Sequence, residues 1–236
     1  MTKNEMENII DNRLALVYEP IEHLTKKEDK SFYTHGSSWA STVAIDIVGF
    51  KNLVKEIDNE KMIKIIQLFN ELITREAHSP EYKEYIRDIY YVQDEVMVVF
   101  DGNSQDGVTR ATLFAASVNS LINNILSKRI SITLGIQDFK AGIGIWTSKE
   151  NSLVRTHIQD LKTYTSSLIG VSIHNARRIA KSANRNGKPA ILLNGLTFSN
   201  LFGEAGKAVM NLLEAQPFNL DNITLYGGNL VQAKYN

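Results

Sequence analysis

The chain has 236 residues, 43% of them hydrophobic, with 26 basic residues balanced by 26 acidic ones and no cysteine. That length suits one domain with an extra N-terminal element, and formal neutrality gives no global bias toward nucleic acid or an anionic membrane. Without cysteine, disulfides and thiolate metal sites are excluded; the oxygen donors that remain suit hard cations such as Mg²⁺ or Mn²⁺.

The opening MTKNEMENIIDNR is polar and mixed in charge, unlike a signal peptide. No window approaches the ~18 consecutive apolar residues of a membrane span. A cytoplasmic location, with neither nucleic acid nor membrane as partner, is therefore expected. Residues 3–27 read as one or two amphipathic helices, with Ile9, Ile10, Leu14, Leu16, Val17, Ile21 and Leu24 on the apolar side and Pro20 as a break. Residues 26–38 are polar and read as a linker. This divides the chain into an N-terminal helical segment and linker, 1–38, and a main domain, 39–236.

Residues 42–48 form a short β-branched apolar run, read as a buried strand containing one acid, Asp46. A helix is predicted over 58–76, where Met62, Ile65, Ile66, Phe69, Leu72 and Ile73 recur at three- and four-residue steps. Two runs, 86–92 and 95–100, flank Gln93-Asp94 and predict a β-hairpin with Asp94 at the turn. A long helix over 106–128 follows, striped by Val108, Ala111, Ala115, Val118, Ile122 and Ile125. A strand is expected at 139–146, with Gly142 and Gly144 inside it. After that come a short strand at 165–169, a helix at 170–184, a strand at 190–193 and a helix at 195–202. The chain is expected to end in a hairpin of 223–226 and 230–234 around Gly227-Gly228-Asn229. This order predicts an α+β sandwich, with helices on one face of a mostly antiparallel sheet.

A carboxylate within or beside an apolar strand is costly unless it is paired, hydrogen-bonded or metal-bound. If the first strand lies beside the hairpin, Asp46 and Asp94 meet, and a divalent cation would remove their repulsion. The pattern alone also allows Asp46 to end a strand and cap the next helix, and Asp94 to be only a turn residue.

Four segments in order carry a resemblance. V-A-I-D-I-V-G-F-K at 43–51 resembles the D-I-x-G-F segment of class III adenylate and guanylate cyclases. Y-Y-V-Q-D-E-V-M-V-V-F at 90–100 is similar to that family's hairpin with its second metal-binding aspartate. F-K-A-G-I-G-I-W-T at 139–147 resembles its R-x-G-I-H-T strand. S-L-I-G-V-S-I-H-N-A-R-R-I at 167–179 resembles its D-x-x-G-x-x-V-N-x-A-A-R-L helix start. The resemblance spans about residues 41–202 and implies a ferredoxin-like βαββαβ core with additional αβ elements.

It also implies a site. Asp46 and Asp94, with the Ile47 carbonyl, would bind two Mg²⁺ or Mn²⁺ ions, and Gly49 and Phe50 would bring backbone N–H groups to phosphate. Arg178 would stabilise charge on the transferring phosphate, while Arg177 is read as structural or solvent-facing. The family's ribose-orienting asparagine is replaced by His174, with Asn175 next to it. Gln93 stands where the family has glycine, and no C-terminal lysine-glycine pattern marks a triphosphate lysine. The base-reading positions hold Tyr90 and Ser167, which match neither the adenine nor the guanine set. A tyrosine there fills space and favours a smaller base. In this the chain resembles the pyrimidine cyclases of bacterial anti-phage defence, with UTP favoured and CTP next. The family's sites are composite, so a homodimer is expected. A purine cyclase, a cyclase fold that binds nucleotide without turnover, and a scaffold dimer remain the alternatives.

Overall fold

The computed structural model describes residues 2–15, 38–158, 163–220, 223–232 and 235. The elements follow the chain as α1 (Lys3–Ala15), β1 (Ser38–Ile47), α2 (Phe50–Glu56), α3 (Asn59–Ala77), β2 (Ile86–Val92) and β3 (Glu95–Asp101). Then come α4 (Gln105–Leu121), α5 (Ser127–Leu134), β4 (Ala141–Ile158), β5 (Thr163–Ile169), α6 (Val171–Ala180) and β6 (Ile191–Asn194). The remainder is α7 (Gly195–Ser199), α8 (Gly203–Met210), β7 (Glu214–Leu220) and β8 (Ile223–Gly228). The helix predicted over 3–27 is described only as far as Ala15, and the linker expected at 26–38 lies almost wholly outside the described residues.

The strands run β2-β3-β1-β4-β6-β8-β7, and β5 pairs with the far half of β4. Every pairing is antiparallel except β4 with β6. β1 is central, flanked by β3 and β4, so the α+β expectation holds.

Successive strand residues point to opposite faces, and β1 separates two cores accordingly. Val43, Ile45 and Ile47 join one cluster with α1, α3, α4 and α5, in which Met6, Phe69 and Phe114 are fully buried. Ala44 joins a second cluster with Met97, Trp146, Ile173, Ala176 and Ile179. The expectation of helices on one face is therefore corrected: α6 covers the opposite face, and Asp46, in phase with Thr42 and Ala44, points to it.

The reason α6 can lie so close is glycine. A Cβ on Gly144 would come within 2.2 Å of the Ala176 carbonyl oxygen, and one on Gly142 within 2.3 Å of that of Ala180. Gly144→Ala is expected to destabilise the domain by about 2 kcal/mol or more, because backbone, not a flexible side chain, must move. Chemical denaturation of the variant checks this.

Several boundaries differ from expectation for identifiable reasons. The long helix runs on to Leu134, because a π turn at Ile122–Leu126 joins α4 to α5 and Gly135 closes it at φ 72°. α3 begins on its cap, where Asp58 accepts from the Lys61 backbone N–H at 2.8 Å. β4 is more than twice its expected length, since β5 pairs with its second half. α6 stops at Ala180; Asn184, Asn186 and Gly187 then take left-handed φ values of 55°, 53° and 77°. The closing hairpin is also corrected. Gly227 and Gly228 lie within β8, opposite Leu192 and Ile191, and the hairpin partner is the upstream β7; residues 230–232 form no strand. A Cβ on Gly227 would meet the Pro189 ring at 2.6 Å, so this glycine allows close packing, not a turn.

Candidate functional site

The β2–β3 hairpin turns on two residues, Gln93 and Asp94, and register places Asp46 opposite Glu95. The Ile47 N–H donates to the Asp94 carbonyl at 3.2 Å, so the end of β1 is fastened to the hairpin loop. Gln93 adopts φ 57°, the left-handed conformation that a glycine would accommodate without strain. One open cavity of about 640 Å³ is lined by Asp46, Ile47, Gly49, Phe50, Gln93 and Asp94, and four cationic side chains share its wall: Lys51, Lys55, Lys181 and Arg185. Six of the expected or flanking site residues thus converge. Gly49 supports the local turn at φ 76°, and Phe50 opens α2 with its ring against the helical core.

Asp46 is 4% exposed. Burial pushes its carboxyl up to about 6 even though the Arg185 guanidinium, donating at 2.5 Å, pulls it down. Asp94 is also raised, again mainly by burial. Asp46 is buried and Asp94 half-buried, and the Arg185 guanidinium does not fully compensate either acid. Two carboxylates and the Ile47 carbonyl form an all-oxygen donor set, which fits Mg²⁺ or Mn²⁺. Among the described residues, no group of three or more His, Cys, Asp or Glu side chains is arranged as a metal centre, so a backbone carbonyl or substrate oxygens would have to complete the shell.

The structure adds residues that the sequence reading passed over. Glu95 is 3% exposed beneath α6 and accepts from Arg177 Nε and Lys181 Nζ, both at 2.5 Å. Arg177 and Lys181 are four residues apart and share a helix face. Arg177 is therefore a structural partner of a buried acid. Arg185 had no motif to announce it; its position in a polar turn after α6 was the only signal.

The remaining predicted residues lie elsewhere. His174 and Arg178 are exposed on the outer side of α6, with Asn175 half-buried between them, and none lines the cavity. Tyr90 is half-buried against the second core and donates its hydroxyl to Asp88 Oδ2 at 2.6 Å, away from the cavity wall. Ser167 sits on β5 opposite Val154; its side chain lies outside the described residues. Among the described residues no helix is long and apolar enough to cross a membrane.

No family model and no curated protein matches the sequence. Solved structures do match the fold. The adenylyl cyclase CyaB from P. aeruginosa superposes with a TM-score of 0.61 at 14% identity, covering 81% of this chain and 93% of that one. The guanylyl cyclase Cya2 gives 0.63 at 15%, with 85% and 96% covered. The guanylyl cyclase domain of the RhoGC fusion protein from the aquatic fungus Blastocladiella emersonii gives 0.58 at 14%, with 80% and 94% covered. The fold is that of the class III nucleotide cyclase domains. At these identities the likeness concerns the fold, and activity has to be argued from the site.

Proposed function

We propose that the chain is a nucleotide cyclase that closes a nucleoside triphosphate into its 3′,5′-cyclic nucleotide and releases pyrophosphate. The observation that carries this is the convergence of Asp46, Asp94 and the Ile47 carbonyl on a cavity whose wall also holds Lys51, Lys55, Lys181 and Arg185. The acids and carbonyl would hold two divalent cations, which when bound would lower the pKa of the ribose 3′-OH and take up charge on the leaving group. The lysines supply positive charge for the triphosphate, which answers the missing C-terminal lysine motif. The 3′-oxygen forms a bond to the α-phosphorus, the bond from that phosphorus to the β-bridging oxygen breaks, and the 3′-OH proton is lost to solvent. Positioning and charge stabilisation account for the catalysis, as in phosphoryl transfer generally.

Arg178 and His174 are exposed and do not line the cavity of their own protomer. They would serve that of a second copy, in an isologous dimer with two composite sites. Arg178 would meet charge on the α-phosphate with its planar fork, and His174 or Asn175 would orient the ribose. For the base we favour a pyrimidine, UTP ahead of CTP, because Tyr90 is bulky where purine readers would stand and its hydroxyl is engaged by Asp88. A role as an alarm-signal synthase in anti-phage defence rests on the same resemblance. The structural neighbours are named as adenylyl and guanylyl cyclases, so a purine product is the second reading.

Incubation with Mn²⁺ or Mg²⁺ and each of ATP, GTP, CTP and UTP, followed by chromatography, decides between them. A cyclic pyrimidine is the expected product. A cyclic purine would discard the Tyr90 argument, and binding without product from any nucleotide would discard catalysis.

A further inference from the structure

Arg185 makes contacts that a metal ion in this site would need. Its Nη2 donates to Asp46 Oδ2 at 2.5 Å and approaches the Ile47 carbonyl at 3.5 Å. Its Nη1 donates to the carbonyls of Ala180 and Ala183 at 2.9 and 3.2 Å. The fork is thus tethered on one side to the end of α6 and reaches, on the other, two of the groups proposed as metal ligands. The backbone fixes it there. Asn184 and Asn186 on either side hold left-handed φ values of 55° and 53°, and Asn184 Nδ2 donates to the Ala141 carbonyl at 2.9 Å.

We propose that Arg185 is a resident cation that competes with divalent metal for Asp46 and the Ile47 carbonyl, and so sets the metal affinity of the free protein. This rests on the metal reading above. Two opposite effects follow. In the metal-free protein the guanidinium relieves repulsion among Asp46, Asp94 and Glu95. For an incoming cation, the same charge-assisted bond has to be given up and a like charge moved aside. Removing the guanidinium should weaken the metal-free state and strengthen metal binding.

The test is Mn²⁺ binding to nucleotide-free protein, read from the electron paramagnetic resonance signal of free Mn²⁺, with thermal unfolding in parallel. Arg185→Gln is expected to bind Mn²⁺ about tenfold more tightly than the unsubstituted protein, the scale of one hydrogen bond to a charged group. Arg185→Lys should fall between, since the ammonium keeps the charge and loses the fork. Asp46→Asn should lose binding. In chelator, Arg185→Gln should melt below the unsubstituted protein and gain more from saturating Mn²⁺. Unchanged or weaker affinity in Arg185→Gln, with Asp46→Asn still abolishing binding, overturns the proposal and makes Arg185 a clamp that positions Asp46. Mn²⁺ binding that is absent from the unsubstituted and Arg185→Gln proteins, or insensitive to Asp46→Asn, overturns it together with the metal reading. If Arg185→Gln does not fold, Arg185→Lys decides: tighter binding than the unsubstituted protein supports competition, and equal or weaker binding ends it.

Discussion

Asp46→Asn is expected to reduce cyclic nucleotide formation by at least about a thousandfold, several kcal/mol of lost charge stabilisation at tenfold per 1.36 kcal/mol, while the protein stays folded. The fold should tolerate it because the amide oxygen still accepts from Arg185 and the cost of burying a charge disappears. Arg178→Ala is expected to be similarly poor in turnover, although Arg178 is exposed on α6 and does not line the cavity. Mixing the two inactive variants makes the test sharp. Random pairing gives half heterodimers, each with one intact composite site and one doubly damaged site. Activity should therefore return to about a quarter of the unsubstituted level. A mixture that remains inactive, although chain exchange is shown by mass spectrometry of differently tagged copies, would refute composite sites.

The second large effect concerns stability. Glu76 is fully buried, and its carboxylate accepts from Ser117 Oγ and, at 2.6 Å, from Tyr235 Oη. Tyr235 is itself fully buried, near the end of the chain and 159 residues away. Glu76→Ala removes the acceptor for two buried hydroxyls at once and opens a cavity beside Ser117 and Tyr235. The expected loss is about 3–4 kcal/mol, a large share of a domain's net stability. Urea unfolding measures it directly. Tyr235→Phe, which removes one donor and keeps the ring, should lose about 1 kcal/mol. Equal losses in the two variants would show that the Tyr235 hydroxyl bond alone carries the effect and that the Ser117 contact adds nothing.

The part of the site that the sequence revealed is the part made of anomalies. An aspartate at position 46, inside an apolar run, is costly enough to stand out, and Asp94 between two strand-like runs marks a turn. Glu95, Arg177, Lys181 and Arg185 carry no such mark. Each is ordinary in its own segment, and each gains its meaning from partners 82 to 139 residues distant, once α6 is laid across β1 and β3. That placement depends on the missing side chains of Gly142 and Gly144, which read locally as weak points in a strand. Elements followed the same rule. Strong periodicity gave α3 and α4; the π turn, which shifts the phase of the stripe, hid α5. β7 contains Pro217 and lacks regular alternation, so the chain's last hairpin was assigned to the wrong pair, with a packing glycine mistaken for a turn glycine.

The close seating of α6 carries a further consequence. With the Ala176 and Ala180 carbonyls set directly against Gly144 and Gly142, the helix cannot roll without losing its bed on the sheet. His174 and Arg178 therefore keep their exposed positions on α6, outside the cavity lining. If those two residues are needed for turnover, a chain on its own is permanently incomplete. Output per molecule would then fall on dilution, and at low abundance the total rate would rise as the square of protein concentration. A cell would hold such a signal silent simply by keeping copy number low, and a modest rise in expression would release it disproportionately.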